Sequence, residues 1–464
     1  MSFTARRLVP TVAAACALFA PCSAQATATA NEIETSQQDG VAYLKSLQTH
    51  NGEFPGFGRE WVLTSLAAAG AAGGSVKQGA TGTDARTFYR ALIGDTATWP
   101  GSSEPPVGDF AVAALSAYAG GIDPARVSST QNLIAQIAAR YQNANPGYYG
   151  EPAFFNDTVF SLLALADTKT RRGAQRVPQA LLDESVTVVR ANQHSDGGWT
   201  FSKAEGNPTA LAEPSEAEET GAAMAAMCGA GVPNTDSAIV AAKDFLVAEL
   251  KAEGSASGAF ATAFGPNTDS NAWAVQGLDA CAIPAQGAEF TTSAGKTPID
   301  FLISQQLSDG GFEIGPGEST PNLYSTQDAV RALAGAGFTS APPKSKGTRL
   351  WLFEKRFSAG TPALVALIIN DGASMPRTCA VSVTPQAGTT TLAQVLEAAK
   401  SASAPAGCVT EFTPASGRGT ITSIDGQPNP PQTSWNVSVD GGAETIAARA
   451  KKIHLGDTIY LRLA

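Results

Sequence analysis

A short phrase that occurs twice constrains this chain more than any other feature. QHSDGGW stands at residues 193–199 and QLSDGGF at 306–312. Each is embedded in the same larger order. An apolar helix is broken by a glycine turn carrying an aromatic; after a loop, a polar cap starts a helix of small residues that ends in glycine. In the copy around 306–312 the first helix opens on Thr297-Pro298-Ile299-Asp300, with a cap, a proline at the first helical position and an acid three residues after the cap. Ser325-Thr326-Gln327-Asp328 is the expected start of its second helix.

The order recurs along residues 36–338. GVAYLKSLQTHNGEFPGF precedes REWVLTSLAAAG, and TFYRALIGDTATWPG precedes GDFAVAALSAYAGG. LIAQIAARYQNANPGYYG leads to NDTVFSLLALA, VTVVRANQHSDGGW to EETGAAMAAMCGAG, and VAAKDFLVAELKAEGSASGAF to DSNAWAVQGLDACA. With the last copy this makes six helix pairs at a spacing of roughly 46–58 residues. One pair cannot bury its apolar face alone and must stack on its neighbours, in an open solenoid or a closed ring.

The repeats stop near Phe338, and residues 339–347 (SAPPKSKG within them) read as a linker. Over 348–464 the character changes. RLWLFEKRF, PALVALIIN, CAVSV, TITSID, WNVSV and TIYLRLA are β-branched or aromatic segments, and TTLAQVLEAAKSA is the one good helix. The expected fold is therefore mainly α, followed by a small β-rich domain with one helix.

Residues 1–26 read as a secretory signal: Arg6 and Arg7, an apolar stretch from Leu8 to Ala20, and Ala24-Gln25-Ala26 as a cleavage site. The stretch is too short to span a bilayer. Cys22 follows Pro21, a poor context for lipid attachment, so a secreted or cell-surface protein is expected. Beyond the signal lie Cys228, Cys281, Cys379 and Cys408. In an oxidising compartment they allow three pairings. Cys228–Cys281 with Cys379–Cys408 keeps each bridge inside one domain and is the expected one. Lys and Arg number 31 against 41 Asp and Glu, a net charge of −10. That balance argues against nucleic acid or an anionic membrane as partner.

Q-x-x-D-G-G-W/F at Gln193–Trp199 and Gln306–Phe312, with QTHNGEF at Gln48–Phe54 as a looser copy, resembles the repeat signature of the squalene-cyclase and prenyltransferase superfamily. The resemblance implies an (α/α)6 toroid, a fold that serves enzymes and binding proteins alike. TSIDGQPNPPQTSWNVSVDGG and IHLGDTIYLRLA resemble the β-rich domain of the transcobalamin and intrinsic-factor carriers. That likeness implies a ligand clamped between toroid and β-domain, with cobalamin or another corrinoid as the bound ligand. It requires no cofactor, and it makes a cell-surface receptor or transporter a natural partner.

Enzymatic readings find less support in the residues. There is no Asp-x-Asp-Asp run to hold a strong acid against a hydrocarbon, and Asn267-Thr268-Asp269-Ser270 is only a fragment of one. No Asp-Asp-x-x-Asp run is present for a diphosphate-bound metal. Asp279-Ala280-Cys281 imitates part of a zinc set, but His50, His194 and His454 are poor partners for it. A Ser-His-Asp hydrolase lacks its G-x-S-x-G elbow. Glu218 and Glu219 could serve as glycosidase acids, although helix starts favour acids in any case. The alternative reading is a toroid enzyme acting on a polyprenyl or sugar substrate, and carboxylates gathered inside the cavity would favour it.

The binding reading rests on the starts of the small-residue helices: Glu60, Asp109, Asn156 and Asp157, Glu218 and Glu219, Asn267 and Ser270, and Gln327. In a closed ring these share one rim and form a collar of donors and acceptors suited to an amide-bearing ligand. Helix capping is the plain alternative for each. The resemblance to the carriers carries ligand contact onto Asn267 and Ser270, Asp157, Glu219 and Thr220, and Gln327. In the β-domain it carries contact onto Trp435, Asn436 and Val437, for which a buried β-core is the alternative. The chain departs from the carriers in its short first repeats and its cysteine pattern.

Overall fold

The computed structural model describes residues 27–463 except 56–58, 98, 102–104, 129, 143–147, 152–153, 169–176, 178, 202–213, 252, 264, 340–359, 361, 371–376, 386–389, 402–408, 410, 415–419, 426, 429–434, 440–444, 448–450 and 454–457. The expected signal, most of the linker, RLWLFEKRF, Cys408 and His454 therefore lie outside the described residues.

Among the described residues, twelve helices alternate between two layers. The outer ones are α1 (Ala30–Leu47), α3 (Ala85–Gly94), α5 (Leu133–Ala138), α7 (Gln179–Ala191), α9 (Ser237–Glu249) and α11 (Pro298–Ser304). The inner ones are α2 (Val62–Ala68), α4 (Val107–Ala119), α6 (Phe155–Asp167), α8 (Ala217–Ala230), α10 (Thr268–Ala280) and α12 (Leu323–Leu333). Each inner helix packs on the next, α2 on α4 and so on to α12, and α12 returns to α2. The ring is closed. Composition follows the layers. Inner α8, buried on nearly every side, is mostly alanine and methionine with Gly221 at its middle, whereas outer α1 keeps a polar face.

The repeated phrase is a joint of this ring. The Gln193 side-chain amide donates to Gly197 O in its own turn and to Ala238 O in α9, the next outer helix. Gln306 donates to Gly310 O and to Ser36 O in α1, and Gln48 to Gly52 O and Val76 O. In all three copies one amide staples a turn to the following repeat. Gly197 and Gly310 have positive φ, and a side chain on either would strike the backbone of Ala241 or Asp39. The aromatics Trp199 and Phe312 are fully buried, and their backbone N–H groups donate to Thr220 and Thr326 on the inner helices.

Thr297 and Asp300 form the expected capping box. The start of α12 differs from expectation. Asn322 is its cap, accepting from the Tyr324 and Ser325 N–H groups, so Ser325–Asp328 lie inside the helix.

After a hairpin between α5 and α6 (β1, Tyr141–Gln142; β2, Tyr148–Tyr149), the remaining strands belong to the β-rich domain. They are β3 (Ala363–Asn370), β4 (Arg377–Val383), β5 (Thr390–Thr391), β6 (Phe412–Pro414), β7 (Ile421–Ile424), β8 (Gln427–Pro428), β9 (Trp435–Val439), β10 (Thr445–Ile446), β11 (Lys452–Ile453) and β12 (Thr458–Leu463), with α13 (Leu392–Ser401) against β4. The main sheet runs β10-β9-β12-β3-β4, and only its β12–β3 pair is parallel. Alternation along β3 shows how the sheet serves two cores. Val365, Leu367 and Ile369 join the domain's own core, whereas Ile368 joins the core of the ring. The domain meets the ring where β3 and β4 cover α5, whose Leu133, Ile134 and Ile137 are completely buried.

Cys228 and Cys281 are bridged, linking the ends of α8 and α10 as expected. Cys379 is also disulfide-bonded, and its expected partner Cys408 lies outside the described residues. Among the described residues no helix is long and apolar enough to cross a membrane.

Candidate functional site

The bore of the ring is plugged by aromatics. Trp61, Phe160, Trp273 and Phe338 pack with ring centres 5.3–6.2 Å apart, mostly edge to face. Three of them come from the inner wall and Phe338 follows α12. Beside Trp61 lies Arg331, fully buried, its guanidinium 4.5 Å from the centre of that ring. Arg331 is bonded to Asp328 and also donates to Gln276 (3.0 Å) and Ser65 (3.3 Å). Trp273 donates its indole N–H to the other Asp328 oxygen at 2.8 Å. One charged pair thus ties α12 to α10 and α2 where the ring closes.

Trp273 also forms part of a cavity of about 440 Å³, within the range of small-molecule sites. Its other lining residues are Asn156, Glu218, Glu219, Asn267, Asp269, Ser270 and Tyr324 from the starts of α6, α8, α10 and α12, with Phe201 and Ile314 from loops. The starts of these inner helices do share a rim. Phe201 and Ile314 are more than a third exposed, and Phe154 stacks edge-on against Phe201 at 5.7 Å. The mouth therefore has an apolar lip and acidic walls.

These acids are shifted strongly. Burial first, then repulsion from Glu218 and Glu216, pushes the Glu219 carboxyl up to about 8. Glu219 is 3% exposed, and its Oε2 has no hydrogen-bond partner among the described residues. Burial raises Asp269 to about 6, with Ser325 and Arg331 opposing it, and raises Glu218 as well. Near neutral pH the Glu219 carboxyl keeps its proton, so the cavity can donate a hydrogen bond as well as accept them. Among the described residues no three His, Cys, Asp or Glu side chains converge closely enough to hold a metal ion.

The expected site residues divide. Asn156, Glu219, Asn267 and Ser270 are brought together on the cavity wall. Asn267 also caps α10, its side-chain oxygen accepting from Ser270 N at 2.8 Å and its amide donating to Gly265 O. Asp157 accepts from Gly108 N at 3.2 Å, tying α6 to α4, and burial raises it to about 6. Asp109 stands exposed on the same rim, its carboxyl raised by partial burial and by Glu60. Thr220 is fully buried, and its hydroxyl accepts from Trp199 N, which makes it part of the ring joint. Gln327 is enclosed, with neither amide atom hydrogen-bonded among the described residues, while its carbonyl accepts from Ser65. Trp435 and Val437 are buried in the core of the β-rich domain. Asn436 is half-buried in β9, opposite Ile446 and Arg462. Trp435 and Val437 cover the inward face of β9 within that core.

Asp269, Trp273, Tyr324, Phe201 and Ile314 escaped the sequence reading as site residues. A signal existed for two of them: Asp269 and Trp273 stand four apart, on one face of α10. His194 and Ser215 form another polar group, with Ser215 Oγ 2.9 Å from His194 Nδ1 and donating to Asp196 at 2.8 Å. Here the hydroxyl lies between acid and imidazole. In a hydrolase triad the imidazole lies between the other two.

No protein-family profile matches the chain, and no curated protein matches it. Among solved structures, haptocorrin in complex with Cbi is 14% identical over 93% of this chain and 97% of that one, with a TM-score of 0.39. The type II terpene cyclase MstE from Scytonema is 16% identical over 66% of this chain and 99% of its own, with a TM-score of 0.45. A Candida albicans protein geranylgeranyltransferase-I is 12% identical over 66% and 91%, with a TM-score of 0.37. None of these likenesses bears on what the cavity holds; the toroid itself stands on the ring of contacts described above.

Proposed function

We propose that this chain is an extracytoplasmic binding protein that takes a small molecule into the cavity of its toroid. The observation that carries the reading is Glu219. A carboxyl oxygen without a partner among the described residues is held in the wall of a cavity that Trp273 of the aromatic cluster also lines. Leaving such a group unsatisfied costs about 1–3 kcal/mol, a cost that a ligand could recover. The Cys228–Cys281 bridge supports an oxidising location. A receptor or transporter at the cell surface would be the recipient of a carried ligand.

A corrinoid is the finer form of this proposal. It draws on the resemblance of the tail and on the amides of Asn156 and Asn267 at the rim. It would also require the β-rich domain to approach the cavity mouth, whereas the domain meets the ring at α5. Titration of the mature protein with cyanocobalamin and hydroxocobalamin tests it. A rise in melting temperature with a changed corrinoid spectrum is expected, and no change at saturation removes the corrinoid.

The second reading is acid catalysis. It is favoured by one observation, a buried carboxyl beside Glu218, Asp269 and Trp273 in the cavity wall, where burial pushes it up to about 8. Polyprenyl and oligosaccharide substrates incubated with the protein should then give products that mass spectrometry detects and that Glu219→Gln abolishes. Unchanged substrates would remove it.

A further inference from the structure

Among the described residues, the cavity carries more acid than its surroundings neutralise. Glu218 and Glu219 enter from α8 and Asp269 from α10, with Glu216 and Glu318 close enough to act on them electrostatically. From α12 come Tyr324, Asp328 and Arg331. Arg331 is the cation that acts on Asp269, and its guanidinium is already bonded to Asp328 and donates to Gln276 and Ser65. Among the described residues, Glu219 keeps an unpartnered oxygen although almost wholly buried.

The shape narrows the occupant. Among the described residues the acids do not converge on a point where one metal ion could sit. They are spread around about 440 Å³, alongside Trp273, Tyr324 and Phe201, with Ile314 at the lip. Spread carboxyls that can ionise, aromatic rings and an apolar mouth together match a cation whose charge is diluted over carbon.

We propose that the cavity binds an organic cation, an amine or quaternary ammonium group. Its charge is set among Glu219, Glu218 and Asp269, and its apolar part lies under Phe201 and Ile314. This rests on the reading of the cavity as the ligand site and names the class of ligand. A cation favours the ionised carboxyls, so binding releases protons and tightens as pH rises from about 6 to about 8. A neutral ligand that accepts hydrogen bonds from protonated carboxyls would show the opposite slope.

The test is calorimetric titration of the full mature chain with choline, with benzyltrimethylammonium, and with dimethylbutanol, the neutral carbon isostere of choline. The cations should bind about tenfold or more tighter than the isostere. Their affinity should rise about tenfold between pH 6 and 8, with proton release visible as a buffer-dependent heat. Glu219→Gln and Asp269→Asn should each weaken the cations several-fold and leave the isostere unchanged. Asp183→Asn, on exposed outer helix α7, should change nothing. Equal binding of isostere and cation, or affinity that falls with rising pH, overturns the charge assignment and leaves the cavity as a binding site. If neither the cations, the isostere nor the cobalamins bind, the cavity reading falls as well.

Discussion

Glu219 is where the residue scale is most informative. Its unfolded value is near 4.5 and its folded value about 8. Between those values the folded chain holds a proton that the unfolded chain has released, so the free energy of unfolding falls as pH rises. Glu218, Asp269 and Asp157 are shifted the same way and add to the slope. Glutamine reproduces the shape of the protonated acid without its ionisation. Glu219→Gln is therefore expected to match the wild type near pH 5 and to exceed it at pH 8 by on the order of a few kcal/mol. Denaturant melts across that range would show parallel curves if Glu219 were unshifted. The sequence marked Glu219 as a rim residue, because acids at helix starts are visible in one dimension. It could not mark the shift, which comes from Glu216, Glu218 and the surrounding protein removing water from one carboxyl.

Between elements, α8 and α10 make the closest approach. A side-chain carbon at Gly277 would come within 2.2 Å of Gly221 O, and one at Gly221 within 2.3 Å of Trp273 O. Glycine inside a helix costs about 1 kcal/mol relative to alanine, so these two glycines run against local preference and are explained by the contact. The Cys228–Cys281 bridge closes the same interface at its far end. Gly277→Ala should force the helices apart, lower stability by about 1–3 kcal/mol or more, and shift Trp273 and the cavity floor with it. Thermal denaturation and ligand affinity measured together check this, and an unchanged melting temperature would count against the contact. Both glycines are plain in the sequence. Their pairing across 56 residues is not, since nothing local says which helix faces which.

At the scale of the molecule, the ring and the β-rich domain share a boundary on α5. That helix is only six residues long and is buried on the ring side and under β3 and β4. A chain ending after Thr339 should keep the closed ring, because α12 meets α1 and α2 within it. It should also expose Leu133, Ile134, Ile137 and their neighbours to water. The expected outcome is a protein that still binds its ligand in the cavity but melts lower and self-associates, as light scattering would report. A loss of binding with no loss of stability would instead favour a clamp formed by the two domains.

Sequence alone determined the repeat, the six helix pairs and the strand-rich tail. These are written in local periodicity and in glycine and cap residues, and each needs only neighbours along the chain. The Cys228–Cys281 bridge belongs to one of three pairings the sequence allowed, and the structure chose it. The joint function of Q-x-x-D-G-G was legible too, because a glycine pair that stops a helix does so wherever it stands. Only the tertiary structure decided that the bore is plugged and that Asn156, Glu219, Asp269 and Tyr324 share a wall. It alone decided that Thr220 bonds the turn at Trp199, that Trp435 is buried in the β-core, and that Arg331 is bonded to Asp328. Those outcomes depend on which of twelve similar helices lie side by side and on how much water the closed ring leaves between them. Burial and charge proximity are properties of that arrangement.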